Sequence, residues 1–585
     1  MSGEAYLAAC VLRHVRGLHF QEYLADMADL REMAARRRET VESVEHTDHT
    51  EEIELEPATE AAGGAAPAEA AAAAEDAEDA VVAELLPMTA RRVVLFGCGR
   101  GIGGAAFLRR QPAARLYGVT ERRADVAAAA ERLTAAVCGT PETVDLAAYG
   151  LAELDCIAFA AGAAAVVSQE SLQRHAAALA QTGQMVFVVR QAPDALVAML
   201  RAVGLVQFFV DRLQGREDGA MVVRAVKQRV PSMSVQTLLG ETIVTARLRA
   251  LLPSKCLATV PGVFARVHET SLNGALAQQM QSSVVIRQRR SYQSVEEGLE
   301  RTERLRQGGH VIVYEMDDNP ILWEERNARV KHMDFVGAHA VQASTPALAE
   351  VLRQYNPHVY VMENQLWELP EPRDYEAEER ESGGRVVVFF GALNREKDWQ
   401  DILPALNRAA AKYRGKIFFR VLADRKFYEA LETEDKEFLR SEHDYDGKFV
   451  SYEVYERALH GSDIALLPLR NTAFNQTKSD LKFIESAGHG AVVLASPTVY
   501  ARTVADGCTG CLYRDAEMFE TKLERLVEHS AYRHAIARSA YAYVKEHRLM
   551  SQHYMERVNL YRYLVAHHEE LDQDLVARLE KVRKG

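Results

Sequence analysis

No stretch of eighteen consecutive apolar residues occurs in the 585-residue chain, so nothing in it reads as a membrane-crossing helix. Cysteine is scarce, with seven residues, an odd number. Together with opening residues that carry no secretory pattern, this predicts a reducing, cytoplasmic setting without disulfides, with peripheral contact at the inner membrane face left open. Long basic runs are missing too: none exceeds Arg36-Arg37-Arg38. Acidic residues outnumber basic ones 83 to 70, and thirteen Asp and Glu fall between positions 41 and 80, where Lys and Arg are absent. Elsewhere the charges balance. A nucleic-acid partner is therefore not expected, because phosphate binding needs a concentrated cationic face.

What is present is apolar material for several cores, 48% of a chain too long for one. Leu7, Val11, Leu18, Leu24, Met27 and Leu30 recur near helical spacing, predicting an amphipathic N-terminal helix over residues 1–40. Such a helix would dock on its own protein or pair with a second copy, making a homo-oligomer. Residues 41–85, acidic and Ala-rich, offer few large side chains to offset the entropy of ordering and are expected to form a disordered linker. Three blocks follow, 86–230, 231–380 and 381–548, in which Val- and Ile-rich runs alternate with amphipathic stretches. That pattern predicts the α/β class, three doubly wound Rossmann-like domains in series. In the third block the expected strands are GRVVVFFG, KIFFRVLAD, KFVSY, DIALLPL and AVVLAS, and residues 549–585 are helical in pattern.

The first block opens with VVLFGCGRGIGG, a strand followed by Gly97, Gly99 and Gly101, and Glu121 closes the next strand. Glycines let the backbone turn tightly and approach a ligand, and an acid at the second strand end can accept ribose hydroxyls. A dinucleotide site would need its third glycine where Ile102 stands. The spacing instead resembles motif I of class I S-adenosylmethionine methyltransferases, as do the later segments LQRHAAALAQTGQMVFVV and LVAMLRAVGLVQFFV. The resemblance implies an S-adenosylmethionine site at Gly97, Gly99, Gly101 and Glu121. Leu95 replaces the usual acid before the first glycine, and FAAGAAAVV lacks the acidic or aromatic motif near the fourth strand, so the domain reads as a degenerate relative.

The third block holds the most concentrated chemistry. FNQTKSDLKFIESAGHGAVVLAS gathers Asn475, Lys478, Ser479, Lys482 and Glu485 around a helix start, and Gly391, Asn394, Arg395 and Lys397 follow an earlier strand of the same block. Loops at the carboxyl ends of one parallel sheet can converge, and cations beside a helix N-terminus suit a diphosphate. In the second block, VVIRQRR ends with Arg287, Arg289 and Arg290, and HVIVYEMDD ends with Glu315, Asp317 and Asp318. The aspartates read as a metal site or a general base, or as a helix cap or partners of the arginines. A helix face on which Lys478, Lys482 and Glu485 pair in solvent is the plain alternative. His310, His332 and His339 lack ligand spacing and read as structural, and Cys508 and Cys511 read as packing residues.

Two adjacent Rossmann domains with these loops resemble the GT-B fold of family-4-like nucleotide-sugar glycosyltransferases, over residues from about 240 to 548. The resemblance implies a UDP- or GDP-linked sugar donor, a glycan, lipid-linked or protein acceptor, a bacterial setting, and no required cofactor or metal. It also implies donor binding by Gly391, Asn394, Arg395, Lys397, Asn475, Lys478, Ser479 and Glu485, with Lys478, Arg395, Asp317 and Asp318 carrying the chemistry and retention of configuration as the outcome. Glu485 matches the second glutamate of the family's paired-glutamate motif, and Thr477 stands where the first belongs. Two other functions fit the same sequence: a bifunctional methyl- and glycosyltransferase, and a non-catalytic assembly protein.

Overall fold

The computed structural model describes residues 67–584 apart from 214–217, 241–243, 281, 393–394 and 440–451. The expected N-terminal helix, Asn394 and nearly all of KFVSY lie outside the described residues. Tyr452, the last residue of KFVSY, begins a helix, and the edge strand of that sheet lies earlier, at Lys436–Leu439.

Short runs of Val, Ile, Leu and Phe, buried on both faces, form three sheets. The first comprises β1 (Arg92–Phe96), β2 (Arg115–Thr120), β3 (Ala135–Cys138), β4 (Leu154–Phe159), β5 (Leu179–Val189), β6 (Gln207–Arg212) and β7 (Met221–Val226), in the order 3-2-1-4-5-7-6. β7 runs antiparallel to β5 and β6. This is not the 3-2-1-4-5-6 order of dinucleotide folds, in keeping with Ile102 at the third glycine position.

The second sheet is parallel throughout: β8 (Met233–Leu239), β9 (Val263–His268), β10 (Ser282–Gln288), β11 (His310–Met316), β12 (Ala340–Ala343) and β13 (Val359–Val361), in the order 13-12-11-10-8-9. The third is parallel as well: β14 (Val386–Gly391), β15 (Ile417–Leu422), β16 (Lys436–Leu439), β17 (Ile464–Leu467), β18 (Val492–Ala495) and β19 (Cys511–Leu512), in the order 16-15-14-17-18-19. Each order reverses once, between β8 and β10 and between β14 and β17. Open α/β sheets bind ligands outside the carboxyl ends of the strands at such a reversal.

Helix α1 (Pro67–Leu85) corrects the linker expectation over its own span. Alanine is the best helix former, and Val82, Ala83 and Leu86 at its end are fully buried, so a segment poor in large side chains still docks. Its partner is helix α2 (Ile102–Arg110): a Cβ on Gly103 would lie 2.4 Å from the Asp79 carbonyl oxygen, so glycine there permits backbone contact.

The C-terminal helices tie the domains together. Helix α4 (Ser530–His547) packs on α3 (Leu481–Gly488) of the third domain, and α5 (Met550–Ala566) crosses back to the second. Tyr554, Val558 and Leu564 of α5 share one core with Val186 of the first sheet and Val235, Val284 and Val313 of the second. Ser551 Oγ also donates to the Arg110 carbonyl at 2.6 Å. Helix α6 (His568–Lys584) buries Leu575 and Leu579 against the other face of the second sheet. Among the described residues no helix is long and apolar enough to cross a membrane.

Candidate functional site

The carboxyl ends of the second and third sheets meet across a cleft. β14 ends at Gly391, where a Cβ would fall 2.3 Å from the Phe389 ring, so glycine lets the strand exit beside that aromatic. Arg395 follows. Its Nη1 lies 3.1 Å from Asp398 Oδ2 and donates at 3.4 Å to Asn475 Oδ1 on the loop after β17. Asp398 Oδ1 accepts from the Arg470 backbone at 2.8 Å and from Asn475 Nδ2 at 3.1 Å. Asp398 thus laces together the loops on both sides of the β14/β17 reversal. The sequence reading missed it, because an acid three residues after an arginine looks like an ordinary surface pair. Lys397, by contrast, is exposed on the short helix Glu396–Trp399.

Beyond a 3-10 turn at Asn475–Thr477, Lys478 projects toward the second domain. Its Nζ lies 4.4 Å from the centre of the Phe474 ring and 3.6 Å from Asp318. Burial, reinforced by the like charge of Arg395, pulls the Lys478 ammonium from 10.5 down to about 8 despite Asp318, Asp317 and Asp398. The helix α3 starts only at Leu481, a correction to the sequence reading that put Lys478 and Ser479 at its first turn. The cause is Asp480, which makes a two-pronged pair with Arg548 at 2.5 and 2.8 Å rather than continuing the helix backward. Ser479 Oγ accepts from Asn364 Nδ2 at 2.9 Å, and Thr345 Oγ1 donates to the Thr477 carbonyl at 2.8 Å, so the second domain grips this loop twice. Asn364 is held in turn by buried Arg249, whose partner is Glu315.

Glu485 lies one turn into α3 and is 2% exposed, so the alternative of a solvated helix face does not hold for it. Its Oε2 accepts from the Tyr455 hydroxyl at 2.8 Å, and Lys482 Nζ lies 3.7 Å away. Burial and this carboxylate push the Tyr455 phenol well up, so it stays a donor. Burial also lowers Lys482, against the pull of Glu485.

On the facing wall, Asp317 and Asp318 follow β11 and share one partner, Arg289, at 3.1 and 2.5 Å. Burial raises the Asp317 carboxyl from 3.8 to about 6, with Arg289 opposing and Asp318 adding to the rise. Arg289 occupies a left-handed conformation, φ 49°, at the β8/β10 reversal. Strain of this kind concentrates at functional positions. The two ion pairs and the Trp323 ring, 5.0 Å from the guanidinium, hold it there. Arg287 turns away to Asp334 and Tyr292, and Arg290 donates to the Leu239 carbonyl.

Elsewhere, His310 bonds Ser283 and His332 stacks on Tyr355. Among the described residues, the group with metal-ligand spacing is His339, His568 and Asp572, at the amino edge of the second sheet, remote from the cleft. His339 Nδ1 accepts from the Ile312 backbone at 2.8 Å, which puts its proton on Nε2, facing Asp572 at 3.4 Å. A metal would have to displace that proton, so the set fits a hydrogen-bonded pair better. Cys511 is buried as expected, whereas Cys508 is exposed and does not pack. In the first domain, Gly97, Gly99 and Gly101 all have positive φ, and Glu121 is exposed.

Lys478 and Arg395 of the third domain thus face the carboxylates Asp317 and Asp318 of the second where the two parallel sheets meet. Residues 397–559 match the family model described as "Glycosyl transferase-like". No curated protein matches the chain. Similar solved structures include Anabaena HepE in complex with UDP, 13% identical, covering 57% of this chain and 99% of that one, TM-score 0.41. A trehalose 6-phosphate synthase from Burkholderia multivorans is 13% identical over 59% of this chain and 99% of that one, TM-score 0.40. A TehB-like SAM-dependent methyltransferase from Corynebacterium glutamicum is 17% identical over 26% of this chain and 87% of that one, TM-score 0.22.

Proposed function

We propose that the chain transfers a sugar from a UDP- or GDP-linked donor to a hydroxyl of a glycan, lipid-linked or protein acceptor, on the cytoplasmic side of a bacterial cell. The observation that carries this reading is the convergence of Arg395 and Lys478 at the β14/β17 reversal, opposite Asp317 and Asp318. In the reaction the bond from the sugar's anomeric carbon to the leaving phosphate oxygen breaks, and a bond from that carbon to the acceptor oxygen forms. Negative charge grows on the departing nucleoside diphosphate, and Arg395 and Lys478 stabilise it; no metal or other cofactor is needed for that role. Glu485 accepts the ribose hydroxyls, exchanging its bond to Tyr455 for them, while Gly391 borders the phosphates and Ser479 and Asn475 shape the loop. The acceptor oxygen attacks from the face the diphosphate leaves, which retains the anomeric configuration, and Asp317 or Asp318 takes up the acceptor's proton.

Titration calorimetry with UDP and GDP tests the reading. One of them binds saturably, and Arg395→Ala weakens it at least tenfold. Absence of binding by both nucleotides to the wild-type chain contradicts it.

A further inference from the structure

The chain's own helix α1 covers part of the carboxyl end of the first sheet, and its Asp76, Glu78 and Asp79 point into the loops there. Asp79 Oδ2 accepts from the backbone N–H groups of Gly103 at 2.6 Å and Gly104 at 3.4 Å, in the first turn of α2. Asp76 accepts from the Arg100 backbone at 3.0 Å and pairs with its guanidinium, at 2.7 Å from Nε. Glu78 accepts from the Gly162 backbone at 3.3 Å, just after β4, and pairs with Arg190, just after β5, at 2.6 Å. Three carboxylates from a single turn of α1 thus engage the loops that follow β1, β4 and β5. The β1/β4 junction is where the strand order of this sheet reverses, the position at which open α/β sheets take ligands.

Carboxylate oxygens on glycine-loop and helix N-terminal amides are bound the way the anionic part of a ligand is bound. Asp79 is fully buried, and its second oxygen has no partner, an arrangement that a side chain serving only to cap α2 would not need. The other half of the crevice is open: Glu121, at the end of β2, remains exposed. We propose that α1 is an intramolecular plug, occupying the ligand crevice of the first domain, so that the crevice accepts a small-molecule ligand only when α1 leaves. The site concerned is separate from the interdomain cleft, so failure of this proposal leaves the glycosyl-transfer reading untouched, and the reverse holds as well.

The test compares the full-length wild type with two variants, using S-adenosylhomocysteine as the probe. Ala77 is exposed on α1, and Ala77→Pro breaks the helix without replacing a core side chain. The double variant Asp76→Ala/Glu78→Ala withdraws two of the carboxylates and leaves buried Asp79 in place. By titration calorimetry, Ala77→Pro binds the probe at least tenfold more tightly than wild type, and the double variant gains a smaller factor. Hydrogen exchange on the wild type with saturating probe shows faster exchange at residues 67–85. Equal affinity in all three chains overturns the plug, and absence of binding in both variants overturns the ligand crevice.

Discussion

Lys478→Met separates the stability of the site from its function. Keeping an ammonium charged where its pKa falls from 10.5 to about 8 costs the folded protein about 3 kcal/mol, at roughly 1.4 kcal/mol per tenfold change. Methionine keeps an unbranched apolar side chain and removes the charge, whose Nζ lies 4.4 Å from the centre of the Phe474 ring. The 3.6 Å pair with Asp318 is already counted in that lowered pKa, and Asp318 keeps Arg289 in the variant. The ligand-free variant is therefore more stable than wild type by about 3 kcal/mol. The sign with pH follows from the depressed pKa. Between pH 8 and 10.5 the native lysine has shed a proton that the unfolded chain still holds, so wild-type stability rises through that window relative to the variant. The advantage of Lys478→Met is complete below pH 8 and fades toward pH 10.5. Function moves the other way: the stabilisation by UDP or GDP shrinks, and turnover falls on the order of 100- to 1000-fold, as for loss of one donor at a developing anion. Urea unfolding at pH 7 and pH 10, with and without nucleotide, reads both effects. A variant less stable than wild type at pH 7, or one with an undiminished nucleotide response, refutes the reasoning.

Three further outcomes follow from the geometry. Glu485→Ala weakens nucleotide binding by about 1–3 kcal/mol, since the ribose hydroxyls lose a buried acceptor, and titration calorimetry measures it. Asp317, raised to about 6, binds its proton more tightly in the folded state than in the unfolded one. Its contribution to stability therefore falls as pH rises from about 4 to 6, and Asp317→Asn abolishes that segment of the urea-midpoint curve; parallel curves for the two proteins would count against the burial argument. Gly103→Ala drives a methyl group to 2.4 Å from the Asp79 carbonyl oxygen and costs about 1–3 kcal/mol, with faster exchange confined to α1 and α2; an unchanged exchange map would show that α1 does not rest on Gly103.

The three-sheet α/β architecture was legible because the strands of buried parallel sheets are nearly continuous apolar runs, as in VVVFF and AVVLA. Strand β8 escaped notice because Ser234, Gln236 and Thr237 interrupt its apolar pattern, although all three are buried. Strand β16 was missed because its four residues are only half-buried at the sheet edge. Composition misled at α1: an Ala-rich acidic segment resembles a disordered one until its partner, a loop some 24 residues downstream, is known. At the site, residue types and loop positions were readable, whereas Asp398, Tyr455, Asn364 and Thr345 were not. Their roles arise from contacts across up to 132 residues of chain, between Thr345 and Thr477, and no local spacing encodes them. The start of α3 was misread because the partner of Asp480 is Arg548, 68 residues away.

Release of nucleoside diphosphate from a panel of nucleotide sugars, measured on the purified chain without acceptor, tests the central claim most directly. Slow release from one donor, lost in Glu485→Ala and strongly reduced in Lys478→Met, is the predicted result. No release from any donor, together with no stabilisation by free UDP or GDP, would contradict it and leave the cleft between the second and third domains without a glycosyl-transfer role.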